Sequence, residues 1–301
     1  MYSLRATERA TTWMLGSPRS GSTWLLNLLS SHPSVIRLNE PLIGAHLGVY
    51  TSDAIGVPSA ELGDESALLF ESSKDRSDYF FSDRYSHVWR PALQRFLLTR
   101  IRTQIVETPS ERPVRDRRVV IKEPNGSQAA ELILGVLPSS RLLVLARDGR
   151  DVVDSVLDAH QPNSWATTVI KRDAMMSPAE RLNLLRVQSL RWVARTRAVL
   201  RAFERHDPSR RYLVRYEDLL ARTSEALRPI FDWMQVPMTG EAVADISERL
   251  AFEKVPAAER GSGRFHRAAS PGLWRHNLTA DEQREAARVM GPTLASLGYP
   301  D

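Results

Sequence analysis

Cysteine is absent from the 301 residues, and no apolar run is long enough to cross a bilayer. Without cysteine the chain can form neither a disulfide nor a thiolate zinc site, and it has no cysteine nucleophile. A membrane-spanning helix needs about 20 apolar residues, and a signal peptide needs an apolar core that the polar stretch 1–9 does not supply. These absences predict a cytoplasmic protein without a membrane span.

The composition is that of an ordinary globular protein, with 42% apolar and 26% charged residues. The net charge is +5, and arginine greatly outnumbers lysine. Such a surplus suits polyanionic partners, although solvated helix faces account for it equally well. No basic stripe interleaved with aromatic residues is present, which argues against a nucleic-acid-binding protein.

Short apolar runs alternate with helical segments along the chain, which favours an α/β fold with a parallel sheet between helices. The predicted strands are 11–17, 118–122, 141–146 and 211–215. The predicted helices that follow them or lie between them are 22–31, 127–137, 150–159 and 178–204.

We expect a single domain over 1–301, with a flexible N-terminus at 1–10. The charged, polar stretches 51–86 and 251–274 are predicted to be loops or lids beside a site. The segment 87–106 has apolar residues at helical spacing, which we interpret as core packing. These residues are Trp89, Leu93, Phe96, Leu97, Ile101 and Ile105.

The segment 16–23 follows a strand and opens a helix, the context in which glycine-rich loops bind phosphate through backbone N–H groups. Its two glycines have P-loop spacing, but Ser22 stands where nucleoside triphosphatases have a lysine. Arg19 is the only cation of the loop. The pattern therefore predicts a phosphate site and argues against a kinase or NTPase.

The run from Pro18 to Leu25 resembles the 5′-phosphosulfate loop of sulfotransferases that use 3′-phosphoadenosine 5′-phosphosulfate (PAPS). The arginine-bearing loop of carbohydrate and tyrosylprotein sulfotransferases is the most similar version. The resemblance implies a P-loop-like fold and sulfuryl transfer from PAPS to an acceptor hydroxyl, with 3′-phosphoadenosine 5′-phosphate (PAP) as product. The donor-binding residues it implies here are Arg19, Ser20, Gly21, Ser22, Thr23 and Trp24, of which Trp24 is either an adenine contact or core.

A second motif runs from residue 143 to 155, a strand followed by a charged turn and a helix. Arg147 lies at the carboxyl end of the strand, where open α/β sheets bind ligands, and arginine meets phosphate bidentately. The motif resembles the 3′-phosphate motif of the same family, in which an arginine and a serine eight residues later bind the donor. Arg147 and Ser155 have this spacing (155 − 147 = 8). Three charged neighbours are interpreted as a helix-capping cluster: Asp148, Arg150 and Asp151.

The chemistry requires a base beside the attacking hydroxyl. Glu40, 21 residues after Arg19 (40 − 19 = 21), resembles the general base of tyrosylprotein sulfotransferases. Lys122 resembles the lysine that stabilises the transferring group in those relatives, so both are predicted to be catalytic, together with Arg19. Glu123 and His46 are the alternative candidates for the base. Glu123 could instead have a structural role, as the ion-pair partner of Lys122.

Tyr216 follows the last predicted strand, at a position where the family contacts adenine. The stretch 261–278 resembles the late nucleotide loop of the family, which implies donor contacts from Arg264, Arg267 and Gly272. Ala268 and Ala269 replace the lysine and glycine of the family pattern there, so the source of the missing positive charge stays open between Arg264 and Arg267.

Two other functions are compatible with part of the pattern: a P-loop kinase or NTPase, and a non-catalytic nucleotide-binding module. Neither explains Glu40 and Lys122 together with the arginine loop. We expect no bound metal, and an acceptor that is a small molecule or glycan bearing a hydroxyl. Sugar, phenol, lipid and acyl-chain hydroxyls all fit the sequence, which does not indicate an oligomeric state.

Overall fold

The central feature is a five-stranded parallel sheet in the order β2-β3-β1-β4-β5. The computed structural model describes residues 2–46, 77–78, 81–170 and 175–300. The strands are β1 (Thr11–Gly16), β2 (Val35–Asn39), β3 (Arg118–Lys122), β4 (Arg141–Ala146) and β5 (Arg211–Arg215). The predicted α/β fold with a parallel sheet flanked by helices is confirmed.

Helices cover both faces of the sheet and bury its apolar side chains in two core clusters. The helices along the chain are α1 (Leu4–Ala10), α2 (Ser22–Ser30), α3 (Ile43–His46), α4 (Ser86–Glu107), α5 (Ala130–Val136), α6 (Gly149–Ala159), α7 (Trp165–Ile170), α8 (Pro178–Arg205), α9 (Tyr216–Ala221), α10 (Thr223–Trp233), α11 (Gly240–Arg249), α12 (Trp274–Asn277) and α13 (Ala280–Ser296). No helix of the described part of the chain is long and apolar enough to cross a membrane.

Strand β2 lies at one edge of the sheet and was not among the predicted strands. Val35 and Ile36 at its start are buried, but Arg37 and Asn39 are exposed, so its sequence lacks a continuous apolar run. A strand with one edge free needs fewer apolar residues than a central strand such as β4, which is buried throughout.

The N-terminus and one predicted helix have a different local structure from the one expected. Residues 1–10, expected to be flexible, contain α1, which begins after the capping side chain of Ser3 and buries Thr7 and Ala10. The helix expected at 127–137 instead begins with a 3₁₀ segment, Pro124–Ala129, and becomes α-helical in α5. There the hydroxyl of Ser127 is bonded to β1, which competes with regular helical geometry.

Helix α4 confirms the amphipathic segment but not all of its core stripe. Trp89, Leu97 and Ile101 are buried, whereas Phe96 is 67% exposed. Neighbouring residues of a helix point about 100° apart. In this helix Leu97 and Leu98 face the core, and Phe96 faces away from it.

The parallel topology brings the carboxyl ends of all five strands to one edge of the sheet. The predicted phosphate loop follows β1, Lys122 is the last residue of β3, and Arg147 comes directly after β4. Most of the loop predicted at 51–86 lies outside the described residues. The stretch 251–273 contains no α-helix or extended strand, only two 3₁₀ turns, Phe252–Lys254 and Ala257–Glu259.

Candidate active site

A cavity of about 630 Å³ opens at the carboxyl edge of the sheet. Its size lies within the range of small-molecule sites. Its wall includes 11 of the residues predicted from sequence: Arg19, Gly21, Ser22, Thr23, Trp24, Glu40, Lys122, Arg147, Ser155, Tyr216 and Arg267.

Glycine is required at both ends of the loop between β1 and α2. A Cβ on Gly16 would lie 2.4 Å from the carbonyl oxygen of Leu145. Gly21 has φ +88°, and a Cβ there would lie 2.6 Å from the ring of Tyr216. The loop therefore packs closely against the neighbouring strand β4 and against Tyr216. Ser22 and Thr23 lie on the cavity wall.

Among the donor-binding residues predicted between Arg19 and Trp24, Ser20 alone is not part of this wall. Its side chain is fully buried, and its Oγ has no hydrogen-bond partner among the described residues. A buried hydroxyl of this kind costs free energy, which a nearby hydrogen-bonding ligand or water could relieve.

Lys122 is buried and holds three parts of the sheet edge together. Its Nζ donates to Thr23 Oγ1 at 2.8 Å, to Asn39 Oδ1 at 3.1 Å and to Glu40 Oε1 at 2.6 Å. Only 4% of the side chain is exposed. The ammonium group therefore connects the phosphate loop to the carboxylate of Glu40, and it pairs with Glu40 rather than with Glu123.

The carboxylate of Glu40 is held at both oxygens and still faces the cavity. Asn125 Nδ2 donates to its Oε2 at 3.1 Å, and one third of the side chain is exposed. The backbone has φ +49°, an uncommon conformation for a residue with a side chain, stabilised by the bond from Glu40 N to the carbonyl oxygen of Lys122 at 2.8 Å.

Glu123 points away from the cavity. The side chain is fully buried, and its Oε2 accepts a hydrogen bond from the backbone N–H of Ile43 at 3.2 Å. Burial raises the pKa of Glu123 to about 7, against bonds from the backbone of Ile43 and Leu42 that lower it. The side chain of His46, the other alternative base, lies outside the described residues.

The two predicted phosphate motifs are in direct contact. Arg147 Nη1 donates to the carbonyl oxygen of Arg19 at 2.9 Å, and Arg19 Nε donates to Ser155 Oγ at 3.1 Å. The guanidinium of Arg147 lies 4.4 Å from the ring centre of Tyr216. Its Nε is buried without a hydrogen-bond partner among the described residues, which leaves a donor for an anion.

Arg19 is held on three sides, by contacts that sequence reasoning did not identify. Its Nη2 donates to the carbonyl oxygen of Phe265 at 3.1 Å. Its guanidinium lies 5.4 Å and 5.1 Å from the ring centres of Trp165 and Phe265. Burial, and then the charge of Arg147, lower the pKa of Arg19 to about 10.

Helix α6 uses its first turn to fix the turn that carries Arg147. Asp148 caps the helix through the backbone N–H of Arg150 and also bonds the Arg150 side chain. Asp151 accepts from the backbone N–H groups of Gly272 at 2.7 Å and Trp274 at 3.3 Å. The charged cluster thus has the capping role expected from the sequence, and it also anchors the late loop.

The late-loop residues of the prediction have different positions. Arg267 lines the cavity, but its Nη2 is bonded to Asp154 at 2.7 Å, and its Nε lies 3.8 Å from Asp158. Gly272, with φ +85°, uses its N–H on α6 and is not part of the cavity wall. Arg264 is exposed and is not part of the wall either.

An aromatic side of the cavity is formed by Trp24 and Tyr216, whose ring centres are 6.1 Å apart. Trp24 Nε1 donates to the carbonyl oxygen of Leu250 at 2.8 Å, which fixes the indole against the segment after α11. Phe252, which the sequence analysis did not identify, also lines the cavity.

Within the described residues, no group of three or more His, Asp or Glu side chains could hold a metal ion.

Residues 13–240 match the family model described as "Sulfotransferase family". The chain belongs to the sulfotransferase family. No curated protein sequence matches this sulfotransferase.

Solved structures share its fold at low sequence identity. Mouse sulfotransferase SULT7A1 complexed with PAP has a TM-score of 0.53 at 12% identity, over 94% of this chain and 83% of that chain. The sulfotransferase domain of the Synechococcus PCC 7002 olefin synthase has a TM-score of 0.52 at 17% identity, over 97% of this chain and 95% of that chain. Retinol dehydratase in complex with androsterone and PAP has a TM-score of 0.51 at 16% identity, over 95% of this chain and 81% of that chain.

Proposed function

We propose that this sulfotransferase moves the sulfuryl group of PAPS to an acceptor hydroxyl, with Glu40 as general base. Family membership supports sulfuryl transfer. PAP in two of the related structures supports the donor. The cytoplasmic location expected from the sequence is part of this proposal.

The observation that carries the proposal is the position of Lys122. Its ammonium group contacts Thr23 of the phosphate loop and Glu40 at once, at 2.8 Å and 2.6 Å. A cation and a proton acceptor are therefore in contact beside a loop suited to phosphate. In-line group transfer needs these three elements together.

In the proposed reaction the acceptor oxygen attacks sulfur, and the bond between sulfur and the bridging oxygen of the 5′-phosphate breaks. The acceptor proton passes to the carboxylate of Glu40, and PAP leaves. Lys122 and the N–H groups at the start of α2 neutralise the charge that develops on the leaving phosphate. Asn125 orients the carboxylate through its bond to Oε2.

The donor fits the residues that face the cavity. The tight backbone at Gly21 leaves no room for a side chain between the loop and Tyr216. Arg147 offers an unpaired buried donor among the described residues, and Trp24 in the cavity wall offers an aromatic ring for a base. Arg19 and Arg147 are the cations proposed to bind the phosphate groups of the nucleotide.

The acceptor in this proposal is a small molecule or glycan with a free hydroxyl that reaches Glu40. Retinol dehydratase is described in complexes with androsterone and with retinol, both small molecules. That relative supports the size class of the acceptor and does not narrow its chemistry here.

Replacement of Glu40 by glutamine tests the assigned base. Glu40→Gln keeps the size of the side chain and the bond from Asn125 but removes the basic oxygen. We expect kcat to fall by about 10²–10⁴, the range of a positioned general base, while PAP affinity changes little. The measurement is single-turnover transfer from PAPS to a panel of hydroxyl acceptors, with mass spectrometry of the added sulfuryl group.

Glu123→Gln is the matched control, since it removes the neighbouring carboxylate that points away from the cavity. Melting temperatures of both variants separate a catalytic loss from unfolding. A folded Glu40→Gln protein with full activity, or a defect confined to Glu123→Gln, contradicts the assignment. No transfer from PAPS by the wild-type protein to any acceptor contradicts the proposed function.

A further inference from the structure

The segment 298–300, directly after α13, turns back onto helix α6. Gly298 has φ +74°, and its N–H donates to the carbonyl oxygen of Ala295 at 3.0 Å. The N–H of Tyr299 donates to the carbonyl oxygen of Leu294, also at 3.0 Å. This pair of bonds is the Schellman motif, in which glycine takes the left-handed position after a helix. The reversal places Tyr299, only 5% exposed, in the core cluster that contains apolar side chains of α6.

The hydroxyl of Tyr299 begins a chain of hydrogen bonds that leads to Arg147. It donates to Glu217 Oε2 at 2.8 Å. The other oxygen of this carboxylate, Oε1, accepts the backbone N–H of Asp148 at 3.1 Å. That N–H belongs to the planar peptide unit that joins Arg147 to Asp148, so its orientation is set by the ψ angle of Arg147. The carboxylate therefore fixes the backbone immediately after Arg147.

Tyr299 is held as a donor to this carboxylate. Burial, and then the charge of Glu217, raise the pKa of Tyr299 above its ordinary value, so the phenol keeps its proton. The guanidinium of Arg215 lies 4.2 Å from the centre of the Tyr299 ring, which fixes the ring by a cation–π contact. The hydroxyl is thus presented to Glu217 in one direction.

A second contact joins the segment 298–300 to the same turn. Arg150 Nη2 donates to the carbonyl oxygen of Pro300 at 2.6 Å and to Asp148 Oδ2 at 2.9 Å. Arg150 is only 2% exposed, and its guanidinium lies 4.1 Å from the ring centre of Trp274. Because a buried guanidinium needs partners for its N–H groups, the carbonyl of Pro300 helps to hold Arg150 against Asp148.

The residue before Glu217 holds the other end of Arg147. The ring centre of Tyr216 lies 4.4 Å from the guanidinium of Arg147. Two consecutive residues of α9 thus contact the charged head of this arginine and the peptide unit that follows it. A change in the position of Glu217 would disturb both contacts. Tyr299 itself is not part of the cavity wall.

We infer that Tyr299 is a positioning residue for Arg147: its hydroxyl orients Glu217, which fixes the peptide unit after Arg147 and so the direction in which this arginine meets the nucleotide. The inference rests on the proposed function for the identity of that nucleotide. It gives a role in donor binding to a side chain that does not face the cavity and lies 152 residues after Arg147 (299 − 147 = 152).

Calorimetric binding of PAP to variants of the full chain tests the inference. Tyr299→Phe removes the hydroxyl and keeps the ring beside Arg215. PAP binding should weaken about threefold to tenfold, the size of one hydrogen bond. In an Arg147→Ala background the same change should cost almost nothing further, because two residues that act through one contact are not additive. Melting temperatures of the four proteins show whether they are folded.

Tyr212→Phe is the matched control, since Tyr212 lies near the amino end of β5 and packs against Trp233. It should leave PAP affinity as in the wild-type protein. Glu217→Ala should weaken PAP binding at least as much as Tyr299→Phe. Glu217→Gln should restore most of the affinity, because its amide can accept from Asp148 N and donate to the oxygen of Tyr299.

Hydrogen exchange of the nucleotide-free protein gives a second readout that does not depend on PAP. Tyr299→Phe should raise exchange of the stretch 147–150 severalfold and leave strands β1 and β4 as in the wild-type protein. A substitution that only lowers global stability would instead raise exchange throughout the core. Tyr212→Phe should leave exchange of 147–150 unchanged.

Unchanged PAP affinity in Tyr299→Phe overturns the inference, and so does an equal loss of affinity in the wild-type and Arg147→Ala backgrounds. Unchanged exchange of 147–150 overturns it as well. A wild-type protein that binds no PAP but shows the local rise in exchange contradicts the proposed donor and supports the link from Tyr299 to Arg147. Absence of transfer with PAP bound counts against the proposed function alone.

Discussion

Lys122 has a structural role at the sheet edge and, in the proposed reaction, a catalytic role as well. Removal of one partner from a buried ion pair leaves an uncompensated charge, so the pair with Glu40 stabilises the sheet edge only while both groups are present. The same ammonium group contacts Thr23, so charge on a phosphate held by the loop would develop beside it. Burial of the Lys122 ammonium group costs desolvation free energy. A role of this charge in the proposed reaction would explain why a buried lysine is present here.

Replacement of Lys122 by methionine separates these roles. Lys122→Met keeps the length of the side chain and removes the charge, so kcat should fall by about a hundredfold or more, with a small change in PAP affinity. Lys254→Met is the matched control, since Lys254 lines the same cavity without a bond to Glu40. Steady-state kinetics with PAPS and calorimetry with PAP provide the two readouts. A change in the KM for PAPS alone would reduce Lys122 to an anion-binding residue.

At the scale of elements, helix α6 is the support of the late loop. Asp151, Asp154 and Asp158 recur at helical spacing on one face, and each accepts hydrogen bonds from the stretch 262–277. Asp158 accepts from the hydroxyl of Ser262 and from the backbone N–H of Gly263. The helix that carries Ser155 therefore also fixes the loop over the cavity.

Loss of the Asp158 carboxylate should open the loop without unfolding the protein. Asp158→Ala removes two hydrogen bonds to a carboxylate, so residues 261–267 should open at least about ten times more often. Hydrogen exchange of this stretch, together with limited trypsin cleavage at its arginines, measures the effect. Asp245→Ala, which removes an exposed carboxylate 3.9 Å from Arg249, controls for surface charge. Unchanged exchange in Asp158→Ala would show that Asp151 and Asp154 suffice.

Elements were more predictable than contacts. The central strands follow from short apolar runs, and the β1–α2 loop follows from its glycines, because both signals are local. The direction of Arg19 is not local: Ser155 and Phe265 lie 136 and 246 residues away in sequence. Asn125 was not identified as a partner of Glu40 for the same reason, since the contact spans 85 residues.

At the scale of the whole molecule, topology assembles the site. The sheet order places β1 between β3 and β4, so the phosphate loop lies between the strand ends that carry Lys122 and Arg147. Structures with 12–17% identity retain this fold. A parallel sheet can therefore keep the geometry of its carboxyl edge while most side chains differ.

Glu123 links the sheet edge to the stability of the molecule, because its buried carboxyl connects the end of β3 to α3. Burial raises its pKa from 4.5 to about 7. Between these values the unfolded chain has released the proton while the folded protein keeps it. Stability from this group therefore falls as the pH rises from about 4.5 to about 7.

Glu123→Gln should remove this dependence, since glutamine resembles the protonated acid and can still accept the bond from Ile43 N. Melting temperatures of the wild-type protein and the variant, measured from pH 4.5 to 7.5, should diverge in favour of the variant as the pH rises. Glu111→Gln, at an exposed position, controls for the loss of one acid. Other titrating groups, Asp151 among them, act equally in both proteins, so the difference isolates Glu123. Parallel curves for wild type and Glu123→Gln would mean that the carboxyl titrates alike in the folded and unfolded chains.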